Sequence, residues 1–160
     1  MTLTASTVFA SPFGPLHLFS NGTALTKILL PSQLTAEYHC TDAFSDNVLQ
    51  ESCREFQAYF DGRLTEFNVP LEPETGTRFQ REVWDALRGI PFGATVSYSQ
   101  LAIQIGRPRA VRAVGAANGR NPLPIIVPCH RVIGADGSLT GYAGGVQLKQ
   151  QLLHHEQQWR

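Results

Sequence analysis

With 160 residues, 42% of them hydrophobic and 16% charged, the chain suits a compact protein of one domain or two small ones, and no apolar run approaches the length of a membrane span. A formal net charge of zero counts at first sight against a polyanionic partner, and the start Met1-Thr2-Leu3-Thr4 lacks the basic and apolar blocks of a signal peptide. The three cysteines, Cys40, Cys53 and Cys129, are odd in number and form no C-x-x-C pair, which argues against a disulfide framework or structural zinc and for reduced thiols in a cytoplasm.

Residues 5–29 read as short strands joined by Pro12-Phe13-Gly14 and by Asn21-Gly22, the latter a strong hairpin signal. A helix is predicted from Ser45 to Tyr59, with Val48, Cys53, Phe56, Tyr59 and Phe60 on one face, ended by Asp61-Gly62. That pattern places Cys53 in a small core. Pro70, Pro73 and Gly76 mark a linker.

Thr77-Arg78-Phe79-Gln80 is a capping box, and Phe79, Val83, Ala86 and Leu87 follow at helical spacing until Gly89 and Pro91. Ser97-Tyr98-Ser99-Gln100 is a second capping box, opening a helix through Ile105 that ends at Gly106. Pro108 suits the first turn of a third helix and Gly119 its end. Two short helices across a Gly-Arg-Pro connection suggest a helix-turn-helix. Residues 124–133 read as extended, 134–145 as a Gly-rich loop, and Gln147 to about His155 as a last helix.

Charge is unevenly distributed. Residues 1–85 hold eleven acids and five Lys/Arg, whereas residues 86–135 hold no acid and six arginines, Arg88, Arg107, Arg109, Arg112, Arg120 and Arg131. That stretch is either a phosphate-binding surface or a solvated face with counterions. In the third helix, at 100° per residue, Ala110, Val111, Val114 and Ala117 point one way, and Arg109, Arg112, Ala113 and Ala116 the other. Small residues let a backbone approach a second helix or a nucleic-acid groove, and their alternation with arginine favours the groove.

The run Ile125-Ile126-Val127-Pro128-Cys129-His130-Arg131-Val132 sets a cysteine beside a histidine. A thiol is a weak nucleophile until a base takes its proton, and imidazole is the usual agent. Taken alone, Cys129 reads as an inert core thiol. In an extended segment the two side chains would point to opposite faces, so a turn or a bridging water is needed. Downstream, only Asp136 and Glu156 are acids. Glu156, near the end of a helix carrying Leu148, Leu152 and Leu153, is the better candidate to orient the imidazole; otherwise it is an exposed helix-end carboxylate. His154 and His155 read as surface residues, not metal ligands.

These motifs carry a resemblance. Pro128-Cys129-His130-Arg131-Val132, Asn121-Pro122, the helix pair with Tyr98 and Arg112, Gly141-Tyr142-Ala143-Gly144-Gly145 and His155-Glu156 resemble the catalytic domain of the O6-alkylguanine-DNA alkyltransferases over residues 77–156. Residues 1–76 match only in style. The resemblance implies an α+β fold: a small N-terminal α/β (ribonuclease H-like) domain at 1–70, a linker at 71–76, and a mainly helical catalytic, DNA-binding domain with a helix-turn-helix at 77–160.

It further implies that Cys129 takes an alkyl group from O6-alkylguanine, and also from O4-methylthymine, in double-stranded DNA. His130 would take the thiol proton through a water, Glu156 would orient His130, and Asn121 would brace the active-site turn. Tyr98 would sit near the flipped nucleotide's phosphate and the guanine edge, and Arg112 would fill the vacated stack. Arg109, Arg120, Ala113 and Ala116 would meet DNA, while Tyr98, Val132, Tyr142 and Ala143 would line the base pocket. A monomer without cofactor or metal, cytoplasmic or nuclear in a eukaryote, is expected. The family's loop serine is replaced here by Ala143, which keeps the backbone N–H but not the hydroxyl. A non-catalytic binder of alkylated DNA is disfavoured by Cys129, a regulator by the absence of room for further domains, and a thiol hydrolase remains a third reading.

Overall fold

The computed structural model describes residues 5–34 and 46–159, so Cys40 and the helix start at Ser45 lie outside the described residues. The chain divides into two compact units, Met1–Glu74 and Thr75–Arg160.

The first unit is an antiparallel sheet of β1 (Ala5–Ser11), β2 (Gly14–Ser20) and β3 (Leu25–Leu29) with one helix, α1 (Asn47–Phe60). Both hairpin turns fall where turn chemistry put them. Asn21 Oδ1 accepts from Thr23 N and Ala24 N at 2.9 Å each, and Gly22 takes φ +95°. Asp46 caps α1 by accepting from Leu49 N at 2.9 Å, which contributes about 1 kcal/mol. The buried face of α1 runs through Val48, Leu49, Ser52, Glu55, Phe56, Tyr59 and Phe60. Cys53 is therefore half-exposed, and the core position expected for it belongs to Ser52, four residues before Phe56, whose hydroxyl bonds Val48 O at 2.7 Å. Residues 70–72 pair with β3 instead of hanging free: Leu25 N donates to Pro70 O and Glu72 N to Leu25 O.

The second unit is mainly helical. The helix α2 (Arg78–Leu87) and the helix α3 (Tyr98–Gln104) both open on complete capping boxes, Thr77 with Gln80 and Ser97 with Gln100. Gly106, at φ +78°, ends α3 in the left-handed region that glycine takes without cost. The next helix, α4 (Val111–Gly119), starts later than Pro108 suggests, because Pro108-Arg109 form a separate turn and Ala110 is its N-cap. Val114, Ala117 and Asn118 face inward, and the Trp84 indole bonds Ala117 O at 2.8 Å. The helix α5 (Val146–Trp159) runs past His155, so Glu156 lies inside a helix.

The expected extended stretch at 124–133 is overturned. Ile125 holds φ +75°, which costs a β-branched residue about 1–3 kcal/mol. Pro128, with its φ locked near −81° and ψ at 65°, forms an inverse γ-turn closed by Cys129 N donating to Val127 O at 2.8 Å. A short 3-10 helix, Cys129–Arg131, follows, and only then β5 (Val132–Ile133). This strand pairs in parallel with β4 (Val96–Ser97), Val96 against Val132 and Ser97 against Ile133. The pairing sets the start of α3, and with it Tyr98, beside the end of the cysteine turn.

Candidate active site

The cysteine turn is braced from within. Asn121 Nδ2 donates to Val127 O at 2.7 Å, its Oδ1 accepts from Leu123 N at 2.9 Å, and Val127 N donates to Leu123 O at 2.9 Å. Those bonds hold the strained Ile125 in place and deliver Cys129 into the interior at 5% exposure. Burial pushes its thiol up to about 11, against the Asn121 side chain and the positive charge of Lys149, which both pull it down. At neutral pH the resting group is a thiol that needs a base.

His130 follows Cys129 in the chain and is fully buried. Its Nε2 lies 2.7 Å from Glu156 Oε2, and its Nδ1 has no protein hydrogen-bond partner. Burial lowers its pKa below the ordinary 6.5, opposed by Glu156 and reinforced by Arg131 and Lys149, so the ring is neutral. A carboxylate can only accept, so the single proton sits on Nε2 and the Nδ1 lone pair is left to receive another.

Glu156 is held on every side. Arg131 grips it in a fork, Nε to Oε1 at 2.8 Å and Nη2 to Oε2 at 2.9 Å, while Gly93 N reaches Oε1 at 3.3 Å. Burial works to raise its pKa, but His130 and Arg131 outweigh that and keep the carboxyl far below the usual range. Arg131 also donates to Ile90 O at 2.7 Å and is 6% exposed. It is thus an interior counter-ion, not part of a phosphate-binding surface. The pattern of charge along a chain carries no information on burial, so the sequence counted it with the other arginines.

Tyr98 stands at the first turn of α3 and donates from its hydroxyl to Thr140 O at 3.1 Å. Lys149, fully buried on α5, shares that acceptor: its Nζ donates to Thr140 O at 3.2 Å and lies 5.8 Å from the Tyr98 ring centroid. Tyr142 is buried, and its phenol is pushed well above its ordinary value by burial and by the nearby charges of Cys129 and Glu156. The structure therefore brings Cys129, His130, Glu156, Asn121, Tyr98 and Tyr142 together. Val132 is fully buried in its pairing with Val96, and Ala143 stands exposed on the turn after Tyr142.

The remaining residues expected at the surface are there. Arg109, Arg112, Ala113, Ala116 and Arg120 are exposed on or beside α4. Arg107 is tied to Glu82 at 3.2 Å and lies over Phe79. Contrary to expectation, His155 is buried and only His154 is exposed. Sequence reasoning missed Asn118 and Lys149, polar side chains buried on the inward faces of their helices. Their one signal was position: at 100° per residue Asn118 continues the Val114 face and Lys149 the face of Leu152 and Glu156.

Arranged in this way, the second unit is a helical domain that sets a buried cysteine beside a histidine–glutamate pair. Residues 78–158 match the family described as 6-O-methylguanine DNA methyltransferase, DNA binding domain, and residues 5–73 match its ribonuclease-like domain. A methylated-DNA–protein-cysteine methyltransferase of Methanosarcina barkeri is 46% identical over 151 residues, covering 94% of this chain and 95% of the relative. The protein of that name from Mycobacterium tuberculosis is 52% identical over 151 residues, covering 91% and 88%. A crystal structure of Mycobacterium tuberculosis OGT in complex with DNA superposes with a TM-score of 0.86 at 46% identity, covering 98% of this chain and 93% of that one. The chain belongs to the 6-O-methylguanine DNA methyltransferase family.

Proposed function

We propose that the protein repairs DNA by moving the alkyl group of O6-alkylguanine, and of O4-methylthymine, onto Cys129 in one irreversible step. The observation that carries this reading is the buried Cys129–His130–Glu156 arrangement, with a neutral imidazole whose Nδ1 is open to a proton. His130 takes the Cys129 proton through a bridging water, and Glu156 keeps the ring in the required tautomer. The sulfur attacks the alkyl carbon, the carbon–oxygen bond breaks, and its electron pair leaves with guanine. The proton taken from the thiol balances the charge on the departing base.

A base stacked in a duplex cannot offer its O6 substituent to a buried thiol, so the nucleotide is flipped out. Arg112 fills the gap with a planar cation, as its exposed position on α4 allows. The minor groove of B-form DNA is only about 6 Å wide, and the side chains of Ala113 and Ala116 keep α4 slim enough to enter once it opens. Arg109 and Arg120 neutralise phosphates. Tyr98 contacts the nucleotide and donates toward the leaving guanine, Asn121 braces the turn, and Val132, Tyr142 and Ala143 border the base, the last two through the 141–145 loop. Residues 77–160 form the catalytic DNA-binding domain, 1–70 the ribonuclease H-like domain, and 71–76 join them. The protein acts as a cytoplasmic monomer.

Mass spectrometry of the intact protein after mixing with an O6-methylguanine oligonucleotide tests the reading. One methyl group on the Cys129 peptide is expected. An unmodified Cys129, with the oligonucleotide demethylated or merely bound, overturns it.

A further inference from the structure

Arg131 follows the histidine in the cysteine turn, and its guanidinium is fixed from three directions. Nε and Nη2 donate to the two Glu156 oxygens at 2.8 and 2.9 Å, Nη1 donates to Ile90 O at 2.7 Å, and the group stands over the Phe92 ring, 5.7 Å from its centroid. The segment that carries Ile90 and Phe92 also holds the carboxylate. Gly93 N reaches Glu156 Oε1 at 3.3 Å, and Gln157, next along α5, donates to Gly93 O at 2.9 Å. Residues 90–93 therefore clamp both members of the ion pair.

A buried ion pair is a poor device for stability alone, since well-packed apolar residues of similar volume often do as well or better. The way this carboxylate is shared points elsewhere. Oε2 accepts from Arg131 Nη2 and from His130 Nε2, while Oε1 accepts from Arg131 Nε and Gly93 N. The planar fork stops the carboxylate rotating and leaves one edge of Oε2 for the imidazole. Charge matters as much. His130 and Glu156 have no side-chain exposure, so the Arg131 charge acts on them with little screening. Glu156 draws a proton onto His130, and Arg131 and Lys149 oppose it. The Cys129 thiol and the Tyr142 phenol are the other titratable groups of this cluster, while α2 turns uncharged Val83, Trp84 and Leu87 inward. A histidine facing a buried carboxylate of unmatched charge would rest as imidazolium and could not take the thiol proton.

We infer that Arg131 is a positioning residue for alkyl transfer: its fork fixes the Glu156 edge that His130 Nε2 faces, and its charge, matching that of the carboxylate, leaves His130 neutral until the thiol proton arrives. This rests on the function proposed above, since it assigns His130 to the reaction as base. Nucleophile, base and the cation that keeps the base ready are then three consecutive residues of one 3-10 turn.

Single-turnover rates on methylated duplex from pH 5 to 8.5, read beside the ring-nitrogen resonances of His130, test the inference. Arg131→Met removes both charge and fork. His130 should then hold its proton to higher pH: the acid limb of the profile should move up by about one unit, and transfer near pH 6.5 should fall about tenfold. Arg131→Lys restores the charge without the fork. It should return the limb to within about 0.3 unit of the wild type, with the plateau rate still about three- to tenfold low. Losses uniform over pH in Arg131→Met, with His130 titrating as in the wild type, overturn the role and leave Arg131 a counter-ion for folding. If Arg131→Met fails to fold, Arg131→Gln, which keeps an N–H for the carboxylate but no charge, carries the same profile with the same expected shift. A wild-type protein that takes no methyl on Cys129 overturns the function itself, whereas a methylated wild type with an unmoved limb in the uncharged variant overturns Arg131 alone.

Discussion

The 2.7 Å contact between His130 Nε2 and Glu156 Oε2 decides which ring nitrogen can work: with Nε2 committed to the carboxylate, only Nδ1 can receive a proton. The acid side of the pH profile follows. His130 has its pKa lowered by burial below 6.5, and protonated imidazole cannot serve as base. Transfer should hold steady from pH 8 down to about 6.5 and fall once the pH passes the lowered value. The sign for stability is the same, because the native state disfavours the charged ring: the contribution of His130 is complete above 6.5 and is lost as the pH drops. Glu156, held low, adds its own contribution above its ordinary 4.5, lost only in strong acid. Single-turnover rates and melting temperatures from pH 5 to 8 check this, and a rate that rose on acidification would remove His130 as base.

Glu156→Gln should have two separable effects. It leaves Arg131 buried without its fork partner, and breaking a buried pair from one side costs about 3–5 kcal/mol. It also removes the group that raises the basicity of His130, so the thiol proton has a poorer acceptor: transfer slows, and the acid limb of the pH–rate profile moves to lower pH. Chemical denaturation measures the first and the pH–rate profile of folded protein the second. A destabilised variant with an unchanged profile would reduce Glu156 to a structural counter-ion.

Much of this site was legible in the chain, and the reasons for the rest are physical. The capping boxes at Thr77 and Ser97 are local hydrogen-bond patterns, and so both helices began where their residues said. The outward face of α4 followed from 3.6-residue periodicity. Arg131 went astray because an arginine's charge is visible in sequence and its burial is not. The 124–133 run looked extended because β-branched residues favour strands, yet Asn121 bonds and the locked φ of Pro128 impose turns on it. Cys53 missed the core by one position, or 100° of helix. Asn118 and Lys149 are polar, and a polar residue on a helix reads as surface until the fold supplies its partners.

Lys149 should act on Cys129 through charge. Its ammonium lowers the thiol's pKa, so Lys149→Met should raise that pKa further and slow transfer by about tenfold at neutral pH. It also removes one donor to Thr140 O. The loss should shrink at higher pH, where hydroxide ionises the thiol directly. A loss equal at all pH values would assign Lys149 to anchoring the loop and not to the thiol.

Arg112 and Arg109 should separate flipping from binding. Arg112→Ala should slow repair in duplex DNA by about 10- to 100-fold, in line with an unstacking cost of a few kcal/mol, and leave reaction with free O6-benzylguanine nearly unchanged. Arg109→Ala should weaken binding to all sequences alike and reduce the salt slope by about 1. Equal losses for Arg112→Ala on both substrates would count against its place in the stack.

Turnover is the last consequence of the chemistry. Transfer converts Cys129 to an S-alkyl thioether. Unlike an acyl-enzyme thioester, that product has no electrophilic carbonyl for water to attack, and thiolate is a poor leaving group from a saturated carbon. The residues around Cys129 supply a base, a tyrosine and a buried cation, none of which can displace sulfur from a methyl group. Each chain should therefore accept one alkyl group and then stop. The methyl group must also be housed at a position only 5% exposed, beside a turn already strained at Ile125. Overpacking of that kind costs about 1–3 kcal/mol, so the alkylated protein should melt several degrees below the free form. Titration with excess methylated duplex should reach a plateau at one methyl per chain, with the melting shift tracking the methylated fraction. Demethylation continuing beyond that plateau would require a hydrolytic route and would sink the single-use mechanism.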